Sequence, residues 1–538
     1  MRTVSVRRPS VPLAAVLAAL LLTGSAPAAP GATAMASSPA ASSLSSDLDR
    51  LLEDPRLTGA QVSALVTDVA TGEVLYRRSP GALMLPASTL KTFTAAAALD
   101  LLGADHRFGT EVLAAGGRVG SKLDGDLVLR GGGDPSLLPA DLDALAAQVA
   151  TAGITTVSGG VLADASRYDS VPLGDNWAWD DQSAYYSPQI SALTLASDTD
   201  YDPGTVRLTL TPDPAPGRPA AVQLMPAEAP VKLGGRIDTA AAGSEYTVNV
   251  TRTPGTNEIV LAGSLPVDGG TSEEWVTVED PARVTATVFS AALARHGVSV
   301  QGAVRAGSAP ADAAVLARHD SAPISALMVP FLKLSNNGIA EHLVKEIGRV
   351  RAGSGSWRAG LDQIASFVHR SGLEPTAARQ TDGSGLSRHN LLTAQRLVKL
   401  LEFARRQPWF APWYEALPVA GDPRRMVGGT LSRRMLGTEA EGRVHAKTGS
   451  MSGVDNLAGY VERRDGRTLG FTLLFNNFVG SNPRPVIDAF AVRLAAAASG
   501  TVAGSADSTG AALQSAPGHR AGRDARDWEN NCASSDQC

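Results

Sequence analysis

Three short strings, far apart in this 538-residue chain, look like the parts of one site: Ser88-Thr89-Leu90-Lys91, Ser335-Asn336-Asn337 and Lys447-Thr448-Gly449. Together they offer a serine nucleophile with a nearby amine, a polar Ser/Asn pair and a cationic strand edge. The chain has seven lysines against 41 arginines, so a lysine that falls in a motif by chance is improbable. No other lysine has a serine three residues before it. The 247 residues from Ser88 to Ser335 are far more than a loop needs. A fold that unites the strings must bring both ends of the chain to one domain and carry the middle as an insertion.

The ends suit that plan. Gln61 to Thr67 alternates and is rich in β-formers, Ala70-Thr71-Gly72 turns, and Glu73 to Tyr76 returns, which predicts a hairpin. Leu85-Pro86-Ala87-Ser88 opens an Ala-rich apolar stretch to Leu102, closed by Gly103, which predicts a helix starting near Ser88. Val444 to Thr448, Asn456 to Glu462 and Thr468 to Asn476 read as strands, followed by a helix from about Pro485 to Ala498. The expected fold is α/β (α+β): a catalytic domain with an antiparallel sheet flanked by helices, plus a large inserted β-rich region. In the insertion, Leu127 to Arg130, Val206 to Leu210, Tyr246 to Thr251 and Glu258 to Ala262 look β-rich, and Asp141 to Ala152 looks helical. Gly/Pro-rich breaks near 202–204 and 212–218 divide it further. The expected division is 1–36 signal peptide, 37–110 first catalytic part, 111–275 insertion of two nested domains, 276–498 second catalytic part and 499–538 disordered tail. Residues 29–44, rich in Ala, Ser and Pro, read as leader or linker.

Export is read from the N-terminus. Arg2, Arg7 and Arg8 precede an apolar run from Val11 to Leu22, and Ala26-Pro27-Ala28, Ala32-Thr33-Ala34 and Ala34-Met35-Ala36 offer cleavage sites. About 12 apolar residues fall short of the roughly 20 that span a bilayer. Losing the leader takes the formal charge from −5 to −8, which gives no electrostatic case for nucleic acid. Cys532 and Cys538 are the only cysteines, so a tail disulfide is open to the chain, but no core disulfide or thiolate metal site is. The eight histidines show no H-E-x-x-H spacing, and there is no P-loop or G-x-G-x-x-G. No metal or nucleotide cofactor is expected.

The residues suit acyl transfer. A serine hydroxyl is a weak nucleophile until a base takes its proton. Ser88 and Lys91 are three apart and would share a helix face. The lysine acts as a base only when neutral, which burial and a second cation such as Lys447 favour. Ser335 can pass a proton toward a leaving amine, and Asn337 can bond both the substrate amide and the lysine. Ser-Asn-Asn also suits an N-cap for a helix expected over Gly338 to Gly348, and one loop can serve both ends. Lys447 with the Thr448 hydroxyl suits a terminal carboxylate, and Gly449 allows close backbone approach. The N–H groups of Ser450 and Ser88 could form an oxyanion hole.

S-x-x-K, S-x-N and K-T-G form the set found in penicillin-binding proteins and class A β-lactamases. Further stretches tighten the match: Arg130 to Pro135, Val161 to Asp169, Trp177 to Leu193, Asp382 to Arg388 and Asn456 to Tyr460. Over roughly 45–495 the chain resembles the class C low-molecular-mass penicillin-binding proteins. These are the D-alanyl-D-alanine carboxypeptidase/endopeptidase family (peptidase family S13), which includes the actinomycete DD-peptidases. The resemblance implies a nucleophile at Ser88, a base at Lys91, and Ser335, Asn337, Lys447 and Thr448 in the site. It also implies a subsite for the amine end of the stem peptide, at Asp181, Tyr186, Leu386, Arg388, Met451 and Ser452; Asp180 and Tyr185 fit if the register slips by one. Glu341 and His342 read as structural. The implied function is a secreted, cell-wall-associated serine D-Ala-D-Ala carboxypeptidase/endopeptidase acting on peptidoglycan stem peptides, with β-lactams as covalent inhibitors. A β-lactamase or esterase of the same fold would need a water activated for deacylation, and no carboxylate stands at a recognisable spacing for that. The third reading, a non-catalytic wall-binding protein, fits poorly with three intact motifs.

Overall fold

The computed structural model describes residues 39–373 and 377–497. The expected leader, the tail and both cysteines lie outside the described residues.

The catalytic part is built on a five-stranded antiparallel sheet in the order Val444–Met451, Val454–Glu462, Thr468–Asn476, Gln61–Asp68, Val74–Arg78. The two ends of the chain meet there. Gln61 lies opposite Asn476 and the pairing runs without a break to Asp68 opposite Leu469. Because side chains alternate across a strand, the sheet feeds two separate cores. Leu65, Ala458, Tyr460 and Leu474 pack on one side, against the helices Lys91–Leu102, Ile324–Lys333, Asn337–Ala352, Trp357–Arg370 and Ala394–Ala404. Ala64, Val66, Leu457, Phe471, Leu473 and Phe475 pack on the other, with the helices Pro39–Leu51 and Arg484–Ala496. Each large apolar side chain buried in this way contributes about 1.5–3 kcal/mol, and a one-residue slip would carry a whole row from one core into the other.

The N-terminal helix corrects the sequence reading of 29–44 as leader or linker. Leu44 and Leu48, four apart, are buried against the sheet. Leu51 and Leu52 continue the same apolar face, at i+7 and i+8 from Leu44.

The inserted region has its own core. Strands Gly109–Val119 and Lys122–Arg130 form a hairpin. The helix Pro139–Thr151 then leads to Val161–Asp164, which pairs parallel with Lys122–Arg130. Three smaller sheets occupy 205–277. After them the chain returns to the first sheet. The helix Pro281–Arg295 packs in the same core, and Ser299–Val300, Val304–Ala306 and Ala314–Asp320 add strands. The last strand pairs antiparallel with the first, Asp320 opposite Gly109. This corrects the boundary expected at 275: the region anchored on that sheet runs to 320. Among the described residues no helix is long and apolar enough to cross a membrane.

Candidate active site

Ser88 stands on a single 3₁₀ turn, Ala87–Leu90, that feeds directly into the helix Lys91–Leu102. The turn is held in an unusual shape. Ala87 has φ 44°, in the left-handed region that costs a residue with a Cβ. Asn456, on the central sheet, donates from Nδ2 to Leu85 O (3.0 Å) and Pro86 O (2.9 Å). Leu85 N donates to Asn476 Oδ1 at 2.6 Å. Two strand asparagines thus clamp the backbone leading to the nucleophile. The K-T-G strand presses on the same turn: a Cβ at Gly449 would stand 2.8 Å from Pro86 O and 3.1 Å from Ser88 N. Gly385 approaches from the other side, where a Cβ would lie 1.9 Å from Ala87 O.

Lys91 is fully buried, and its amine lies 2.8 Å from Ser88 Oγ, 2.6 Å from Asn337 Oδ1 and 2.9 Å from Ser384 O. Two of these oxygens can only accept. Asn337 is turned by its own Nδ2, which donates to Tyr186 O at 2.7 Å, so its Oδ1 must face the lysine. A neutral amine that gives its two hydrogens to Asn337 and Ser384 has its lone pair directed at Ser88 Oγ.

Lys447, also fully buried, donates to Ser335 Oγ (2.8 Å) and Thr448 O (3.0 Å). Thr448 Oγ1 donates to Thr430 Oγ1 at 2.9 Å. The Ser-Asn-Asn string divides its roles. Asn336 is the N-cap of the helix Asn337–Ala352, accepting from Ile339 N at 2.9 Å, and its Nδ2 donates to Tyr201 O (2.8 Å) and Asp202 Oδ1 (2.9 Å). Ser335, at φ 59°, and Asn337 are thereby turned to the site.

These groups line a cleft of about 410 Å³ between the catalytic part and the inserted region. Ser88, Ser335, Asn337, Ser450, Met451 and Ser452 are on its walls, as are Asp181, Tyr186, Leu386 and Arg388. Lys91, Lys447 and Thr448 lie behind the walls and reach it through the hydrogen bonds above. Among the lining residues, Asp181 Oδ1 accepts from Tyr186 OH at 2.8 Å. Burial pushes the Asp181 carboxyl up and Asp180 adds to the rise; the Tyr186 hydroxyl and Arg388 oppose it. Arg388 Nη2 donates to Ser452 O at 3.0 Å. In the alternative register Tyr185 also lines the cleft, whereas Asp180 is not among its lining residues.

Several lining residues had no role in the sequence reading: Thr430, the two indoles Trp177 and Trp179, and an ion pair in which Arg425 Nη2 donates to Asp200 Oδ2 at 2.6 Å. Glu341, read as structural, lies just behind Lys91. It accepts from Ser384 N (2.8 Å), Gly383 N (2.9 Å) and Trp357 Nε1 (2.7 Å). The local sequence gave no signal for the Glu341 and Asn456 contacts, because the partners are 16 to 371 residues away.

A serine beside a buried lysine, a Ser/Asn pair and a second buried lysine, set between an antiparallel sheet and a helical layer, define a serine hydrolase of the penicillin-binding class. The chain belongs to the D-Ala-D-Ala carboxypeptidase 3 (S13) family, whose model matches residues 44–497. It is 47% identical over 494 residues to the D-alanyl-D-alanine carboxypeptidase of Actinomadura sp. (strain R39), covering 91% of this chain and 90% of that protein. It is also similar to the crystal structure of penicillin binding protein 4 (dacB) from Haemophilus influenzae. The TM-score is 0.72 at 25% identity, over 83% of this chain and 98% of the other. A second structure of that protein, complexed with a novel β-lactam, matches with a TM-score of 0.67 at 25% identity over 84% and 98% of the two chains.

Proposed function

We propose that this chain is an exported serine DD-peptidase that removes the terminal D-alanine of peptidoglycan stem peptides, or cleaves D-Ala–diaminopimelate cross-links, through an ester on Ser88. The observation that carries this reading is the Lys91 amine, 2.8 Å from Ser88 Oγ with two fixed carbonyl acceptors behind it.

In the proposed mechanism neutral Lys91 takes the Ser88 proton as Oγ attacks the carbonyl of the penultimate D-alanine. The N–H groups of Ser88 and Ser450 receive the developing oxyanion. Lys447, with the Thr448 hydroxyl, holds the carboxylate of the leaving D-alanine, and Ser335, bonded to Lys447 at 2.8 Å, relays the proton that Lys91 took to the leaving amine, which returns Lys91 to its neutral form. Water then hydrolyses the ester with Lys91 again as base. Asp181, Tyr186, Leu386, Arg388, Met451 and Ser452 take the free amine end of the diamino-acid side chain. Penicillin would enter by the same attack and remain as the ester.

The test is release of D-alanine from a stem pentapeptide by the full-length protein, with mass spectrometry of the protein after penicillin. D-alanine release with a long-lived penicillin adduct is expected. Rapid turnover of penicillin without an adduct would make the protein a β-lactamase, and no reaction with either compound would make it a binding protein.

A further inference from the structure

Glu341 is a fully buried carboxylate joined to the proposed base through the backbone of Ser384. Its Oε1 accepts from Ser384 N and its Oε2 from Gly383 N and Trp357 Nε1, at 2.7–2.9 Å. The carbonyl of Ser384 is in turn one of the two fixed acceptors of the Lys91 amine. Thr94, on the Lys91 helix, donates to Gly383 O at 2.7 Å, so the helix grips the same loop. We propose that Glu341 is a positioning residue for the base: through the backbone of Ser384 it aims the Lys91 lone pair at Ser88, and its charge helps to set the pH at which Lys91 becomes neutral. The proposal rests on the serine/lysine mechanism above.

The charged groups around Glu341 are few. Asp382, on the same loop, accepts from Gly385 N, Ser387 N, Asn390 Nδ2 and Trp177 Nε1. Lys345, one turn along the Glu341 helix, is paired with Asp169 at 2.7 Å and lies over the Trp357 ring. Lys91 stands beyond Ser384, bonded to its carbonyl. His342 faces away, toward Gly338 O and Ser191 O. Burial, with the Asp382 charge, pushes the Glu341 carboxyl up to about 7, so it ionises near neutral pH. An ionised Glu341 favours the ammonium form of Lys91.

The test is the pH dependence of Ser88 acylation by penicillin in the full-length protein. Glu341→Gln removes the charge and replaces one of the two acceptor oxygens by an NH2 group. Its rate should fall and its acidic limb should move to lower pH, on the order of half a unit. Trp357→Phe removes a single donor to the carboxylate and keeps the packing. It raises the pH at which Glu341 ionises, so its acidic limb should move the same way by less; it also serves if Glu341→Gln does not fold. A slower rate with an unmoved limb in the folded variants would make Glu341 purely structural and overturn the proposal. A wild-type protein that forms no Ser88 adduct would instead overturn the mechanism on which the proposal rests.

Discussion

The two ends of the cleft are built differently. At the acylation centre both lysines are fully buried, and the Lys91 amine is held by three oxygens. The backbone there is fixed by left-handed Ala87 and Ser335, by two asparagine clamps and by close glycine approaches. At the outer end, the proposed specificity subsite, the groups come from the 3₁₀ turn Trp179–Ser183 and the loops around Leu386 and Ser452. Asp181 accepts from the Tyr186 hydroxyl, and Arg388 donates to the carbonyl of Ser452. The centre is over-determined, as chemistry that depends on fractions of an ångström requires. The outer end has bonding capacity that a ligand can use, as recognition on loops does.

If this contrast is right, losses at the centre should be large and independent of substrate, and losses at the outer end should depend on it. Lys91→Ala tests the first half. Stopped-flow acylation by penicillin should slow by ~10²–10⁴, the usual worth of a general base, and peptide hydrolysis should fall in parallel. A loss confined to one substrate would break the contrast.

Asp181→Asn tests the second half. A charged hydrogen bond to the substrate amine is worth about 1.5–3 kcal/mol, or roughly ten- to more than a hundredfold. kcat/KM should fall by that factor on a D-Ala-D-Ala peptide with an amine-terminated side chain and change little on its acetyl-lysine counterpart. The pH dependence has a definite sign. The Asp181 carboxyl is pushed above the usual aspartate value, chiefly by burial. As pH falls it therefore takes up its proton earlier than an exposed aspartate, and selectivity for the amine should decline at a pH where ordinary aspartates are still ionised. The Asn variant should show no such decline. Equal losses on both substrates would place Asp181 in folding or general catalysis.

Lys447→Ala sharpens the account of the centre with a smaller, directional effect. Removing a neighbouring cation makes the Lys91 ammonium easier to keep. In the residual activity the acidic limb of acylation should move to higher pH by about one unit, opposite to the shift expected for Glu341→Gln. A limb that stays in place would mean that the two lysines are uncoupled.

The sequence revealed the centre more readily than its supports. The last three strands and the first hairpin were legible because short β-rich runs bounded by turn residues leave a strong mark: Thr468–Asn476 has the expected limits, and Gln61–Asp68 runs one residue longer than expected. The end of the insertion was not legible, because Ser299–Val300 and Val304–Ala306 are too short to show any period. The helix Pro39–Leu51 was hidden by its Ala/Ser/Pro composition. In the site, the motif residues announced themselves by chemistry and spacing. Asn456 and Glu341 act through backbone atoms of distant segments, and no local pattern encodes such a contact.

The most direct test of the central claim is peptide mapping of the full-length protein after reaction with penicillin. The account predicts one adduct, on the peptide that contains Ser88, and none in a folded Ser88→Ala variant. An adduct on another residue, or labelling that survives in Ser88→Ala, would contradict it.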